Sequence, residues 1–94
     1  MTGLPHSGIR QRAPSPADLI KKNAERLASE LVRMAEELER TAVIADQQAQ
    51  RREQAGRSEG AAEEHRAADR AREYAQRARS QAEAWLTVAT RDTR

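Results

Sequence analysis

Alanine recurs at every seventh residue through most of this chain, in two separate series. Ala28, Ala35, Ala42 and Ala49 form the first, and Ala61, Ala68, Ala75, Ala82 and Ala89 the second. Seven residues is two helical turns, so each series runs along one edge of a helix. A methyl group on that edge lets two backbones approach more closely than leucine would. Between the series lies Ala55-Gly56-Arg57-Ser58-Glu59-Gly60, which is rich in helix-stopping residues. The pattern predicts an all-α chain folded as a two-helix antiparallel hairpin with an alanine-heptad, close-packed coiled-coil seam. It predicts an architecture and not an activity.

The flanking residues give the boundaries. Residues 1–14 hold Gly3, Pro5, Ser7, Gly8 and Pro14 without an apolar period, and read as a disordered basic arm. Ser15 suits the N-cap, Pro16 the first helical position, and Asp18 the third position after the cap. A heptad pattern then runs Ile20, Ala24, Leu27, Leu31, Met34, Leu38, Thr41, Ala45. Arg51 and Arg52 fall where cations favour the negative end of the helix dipole, and Gly56 suits the C-terminal cap. The first helix is therefore expected over about 16–54, the turn over about 55–59 and the second helix over about 59–90, with 91–94 a frayed tail. The second helix begins near Ser58, with Glu59, Glu63 and Glu64 at its positive end and Gly60 able to shift that start.

An antiparallel pairing about this turn places position i near roughly position 115 − i. The expected seam is Ile20, Leu27, Leu31, Met34, Leu38, Ala42 and Ala45 against Ala71, Ala75, Ala78, Ala82 and Trp85, with Tyr74 at one margin. Large residues gather away from the loop, so the helices are expected to close tightly at the loop and spread at the open end. Two helices bury only one stripe each, which makes a lone hairpin marginal. A partner is expected, most simply a second copy, giving an antiparallel homodimer that forms a four-helix bundle. Leu19, Val32, Val43, Ile44, Leu86 and Val88 fall outside or beside the seam, consistent with a second contact surface.

The sequence pI near 9.7 raises nucleic acid as a partner. Along both helices, however, basic and acidic residues alternate and nearly balance. Many are spaced as i,i+4 pairs: Arg26 with Glu30, Arg33 with Glu37, Glu36 with Arg40, Glu73 with Arg77, Arg79 with Glu83. A phosphate-binding face needs a stripe of unpaired positive charge, which a single chain lacks. Charge segregates only at the open end, where Arg10, Arg12, Lys21, Lys22, Arg91 and Arg94 outnumber Asp18 and Asp92.

Chemistry is sparse. Without cysteine there is neither a disulfide nor a thiolate. His65 stands four residues before Asp69, but Ala62 occupies the place of the glutamate that di-iron bundles use, so His65 reads as a solvated histidine off the inward face. His6 lies in the arm. Ser15, Ser29, Ser58 and Ser80 have no histidine within local reach. Gly56 and Gly60 lack the lysine of a phosphate loop. Glu64 projects toward the alanine face, yet in the first turn the dipole explains a carboxylate there. No cofactor, metal or catalytic site is expected. No apolar run reaches the roughly 18 residues of a membrane span, and no signal peptide is visible, so no membrane role and a cytoplasmic location are expected.

In length and class the chain is similar to the secreted helical hairpins of type VII secretion. The turn Ala55-Gly56-Arg57 lacks their Trp-x-Gly, and Tyr74 is followed at the fourth position by Ala78 where they carry an acid. That family's function does not carry over. The alanine-heptad hairpin also resembles the small RNA-binding bundles of plasmid copy control, in architecture alone.

The expected function is a small non-enzymatic protein–protein interaction module, a regulator or adaptor that binds its partner through the open end. Leu19, Val32, Trp85, Leu86 and Val88, ringed by Lys21, Lys22 and Arg91, are the candidate contact residues. The alternative is a nucleic-acid-binding bundle in which dimerisation aligns Arg66, Arg70 and Arg77, or Arg72 and Arg79, into a basic surface. A third class is a bundle that senses a small ligand at the dimer seam.

Overall fold

A computed structural model describes residues 13–91. They form two helices, α1 (Pro16–Gln54) and α2 (Ser58–Arg91), packed against each other. The arm expected over 1–14 lies outside the described residues except for its last two, as does the tail beyond residue 91.

Local chemistry sets both ends of α1. Ser15 is extended, and its Oγ accepts the Asp18 N–H at 3.1 Å, while Pro16 fills the first turn where no N–H is needed. At the other end the Arg57 N–H donates to the Arg52 carbonyl at 2.7 Å and the Gly56 N–H to the Glu53 carbonyl at 3.0 Å. This is a Schellman ending, and it requires the positive φ of +79° that Gly56 adopts. α2 starts at Ser58 despite Gly60 in its first turn. Gly60 serves packing: a Cβ there would lie 2.8 Å from Nη1 of Arg52, whose guanidinium crosses it toward Glu64.

Every buried side chain among the described residues is alanine. They are Ala24, Ala28, Ala35, Ala42, Ala45 and Ala49 on α1, and Ala61, Ala68, Ala71, Ala75, Ala78, Ala82 and Ala89 on α2. Ala42 and Ala45 pack with Ala68 and Ala71, and Ala35 with Ala75 and Ala78; Leu38 packs against both groups and Leu31 against the second. Each methyl removes little area from water, so holding the helices together takes many such contacts along their length.

Three residues expected in the seam lie outside it. Ile20 is 55% exposed, Met34 51% and Trp85 39%. Leu27, Leu31 and Leu38 are only half-buried. The physical reason is spacing: backbones brought together over methyl groups leave no room for a large side chain between them, so leucine, methionine and tryptophan are turned out to the edge. The expected spreading at the open end is corrected for the same reason. Ala24 and Ala28 on α1 and Ala82 and Ala89 on α2 are as buried as the alanines beside the loop, so the close contact continues to the open end.

Candidate interaction surface

The buried alanines divide the hairpin into two edges of opposite character. On the first, Val32, Glu39, Asp46 and Glu53 recur every seven residues along α1, and His65, Arg72, Arg79 and Leu86 do so along α2. Their charged members meet across the helices. Arg79 forms a bidentate pair with Glu39, Nε donating at 2.9 Å and Nη2 at 2.7 Å. Arg72 donates to Asp46 and, along its own helix, to Asp69 at 3.4 Å. The His65 ring lies between two carboxylates of α1, Nδ1 at 3.0 Å from Asp46 and Nε2 at 3.3 Å from Glu53. Only an imidazolium carries a proton on each nitrogen and satisfies both.

These contacts set the local acidities. The hydrogen bond from Arg79 holds the Glu39 carboxyl below its usual range, and Arg72, with His65 behind it, does the same for Asp46. His65 is shifted upward, chiefly by its hydrogen bond to Asp46 and against the opposing effect of partial burial, with Glu53 adding to the rise. A raised folded-state value means folding takes up a proton at this site. Its stabilising contribution is complete below the ordinary imidazole value of about 6.5 and is lost as pH rises through the raised value. The melting temperature should therefore fall from about pH 6 to pH 8, and the fall should be shallower in His65→Gln. Equal slopes in the two proteins would refute the charged bridge.

This histidine is where the sequence reading needs its largest correction. His65 is half-buried between the helices and meets Asp46 and Glu53, not Asp69, and it is not a freely solvated ring. Its nitrogens point to separate carboxylates, and among the described residues no group of metal-ligating side chains converges. The signal was present in the spacing, since His65, Arg72 and Arg79 stand seven apart, as do Glu39, Asp46 and Glu53. Three of the expected i,i+4 pairs are replaced, one of them by a contact across the helices. Arg79 turns to Glu39 and not Glu83, Arg40 reaches Glu37 at 3.6 Å and not Glu36, and Arg77 lies over the Tyr74 ring at 5.4 Å and not on Glu73. Carboxylates across the seam sit nearer the buried stripe, where a pair is less screened than on an outer face.

The opposite edge has no charge in its flanking rows. Along α1 these residues are Ile20, Leu27, Met34, Thr41 and Gln48, and along α2 Ala67, Tyr74, Gln81 and Val88. Leu31, Met34, Leu38, Tyr74, Ala78 and Gln81 line an open groove there, with Arg77 at its rim. Its floor continues over α1 past Met34 and Leu38 to Thr41, with Glu30, Arg33 and Glu37 bordering it. Thr41 is not an unmet polar group in this row, because its hydroxyl donates to the Glu37 carbonyl at 3.1 Å.

The residues expected at the open end do not form one patch. Val32 and Leu86 belong to the heptad rows of the ion-paired edge, whereas Val88 belongs to the uncharged edge with Tyr74 and Gln81. Trp85 falls in the row of Ala71 and Ala78 and is exposed, as are Leu19, Leu86, Lys21, Lys22 and Arg91, while Val32 and Val88 are half-buried. Of the arginines considered for nucleic acid, Arg72 and Arg79 are neutralised by carboxylates and Arg77 is spread over a ring. Arg66, Arg70 and Arg77 form no ion pair among the described residues. No helix among those residues is long and apolar enough to cross a membrane. Comparison with family models, curated proteins and solved structures finds nothing that matches the chain.

Proposed function

We propose that this chain is a small non-enzymatic protein–protein interaction module, and that it binds through the uncharged edge of the hairpin. One observation carries this reading. On the ion-paired edge the flanking residues cross-link α1 and α2, while on the other edge large apolar side chains remain exposed, Ile20, Met34 and Tyr74 each by more than half. An apolar strip with a charged border on an otherwise salt-bridged hairpin is the ordinary mark of a contact surface. In this reading the alanines act as a close-packed coiled-coil seam that fixes the two helices, and the uncharged edge supplies the second layer of a four-helix bundle. A regulator or adaptor role fits a module of this kind. The nucleic-acid alternative loses one of its two arginine sets, because Arg72 and Arg79 are ion-paired within the hairpin, and rests on Arg66, Arg70 and Arg77 alone.

Photo-reactive residues introduced at single positions in producing cells test the surface. Adducts are expected from positions 34 and 81 on the uncharged edge, and not from positions 86 and 43, which are comparably open to solvent. Adducts from all four positions alike, or from none, would remove the reading.

A further inference from the structure

We infer that the uncharged edge is covered by a second copy of this chain, docked two-fold with its turn at the same end, so that α1 of each copy faces α2 of the other. This rests on the uncharged edge being an interaction surface. The observation that selects the occupant is the charge bordering the edge. Outside the row of Met34 on α1 comes a row that contains Glu37 and Arg51, and outside the row of Tyr74 on α2 comes one that contains Glu63 and Arg77. A two-fold axis parallel to the helices keeps the heights already set within the hairpin, where Ala35 lies level with Ala78 and Ala45 with Ala68. At those heights Glu37 stands opposite the partner's Arg77 and Arg51 opposite the partner's Glu63. Both pairings are of opposite sign, and the symmetry makes each of them twice.

The other two-fold arrangement, with turns at opposite ends, sets α1 against α1. The large apolar residues lie in the open half of the hairpin, so overlapping them centres that arrangement near Glu30 and Ala84. Glu30 then meets its own copy, and Arg77 faces Arg91 of the other chain. Like charges at the border oppose it. Among the described residues none of Glu37, Arg51, Glu63 or Arg77 bridges the two helices within one chain; there Glu37 pairs with Arg40 and Arg77 lies over Tyr74. Their charges are therefore available to a partner without opening the hairpin.

Two charge-swapped chains test this arrangement. One carries Glu37→Arg with Arg51→Glu on α1, the other Glu63→Arg with Arg77→Glu on α2. Light scattering should find the native chain dimeric. Each variant should be helical by circular dichroism but self-associate at least about tenfold more weakly, because four border pairs become repulsive. Mixing the two variants restores opposite signs at all four places, and a stable heterodimer should form. The chain has no cysteine, so a single Arg57→Cys label reports the turn alone. Energy transfer between two such labels should be strong with the turns together, whereas helices of roughly 58 Å would hold them far apart in the opposite arrangement. Weak transfer, or no heterodimer on mixing, overturns the arrangement. A native chain that stays monomeric while residue 34 still cross-links to a different protein overturns the second copy and leaves the surface standing. A monomer without adducts removes both.

Discussion

Replacing Ala35 by leucine should strongly destabilise the hairpin. Ala35 is fully buried and packs against Ala75 and Ala78, with Leu31 and Leu38 already filling the space beside them. Three extra carbons have nowhere to go except between the backbones. Either the helices separate locally, which uncovers the alanines on both sides, or leucine takes a strained rotamer. Overpacking of this kind costs about 1–3 kcal/mol, and in a chain of this size that lowers the melting temperature by on the order of 10 °C. Met34→Leu, an exposed change of similar chemistry, is the control and should leave the melting temperature almost unmoved. If Ala35→Leu raised stability, as it would in a leucine-based coiled coil, the close approach of the helices would be wrong.

Placing a charge in the uncharged edge should abolish association without unfolding the chain. Met34→Asp puts a carboxylate in the groove floor beside Leu31, Leu38 and Tyr74, where any covering surface would have to desolvate it. Losing one apolar contact and burying an unpaired charge together cost several kcal/mol, enough to weaken binding by a factor of about a thousand or more. Leu86→Asp lies on the ion-paired edge and should leave association intact, although Leu86 is nearly as exposed as Met34. Light scattering on the two variants gives the contrast directly. Equal loss in both would point back to the open end of the hairpin as the surface, and loss in Leu86→Asp alone would reverse the assignment of the edges.

The two edges have different physical origins, and the histidine shows how they are connected. Close packing over alanine brings the flanking rows near enough for Arg79 to grip Glu39 with two hydrogen bonds and for His65 to fall between Asp46 and Glu53. A wider, leucine-filled seam would have held those groups apart and left each to its own helix. Ion pairs on that edge are partly open to water and individually modest, but they are arranged so that only one register satisfies them all. On the other edge the same packing leaves Met34 and Tyr74 exposed, so the apolar surface offered to a partner is a consequence of the small residues behind it.

Much of the helical organisation was legible in the chain itself. The seven-residue alanine spacing, Ser15 before Pro16, and Gly56 after two arginines depend on interactions within a few residues, and these act the same way in any context. What the sequence could not decide was which side chains lie between the helices and which lie at their edges. Ile20, Met34 and Trp85 satisfy a heptad pattern as well as alanine does, and only the distance between two backbones excludes them. Likewise Arg79 has a carboxylate one turn away in Glu83 and another across the seam in Glu39, and local rules favour the first. The tertiary structure chose the second, because helices held together over methyl groups bring a carboxylate of one within bidentate reach of a guanidinium of the other, near a stripe from which water is excluded.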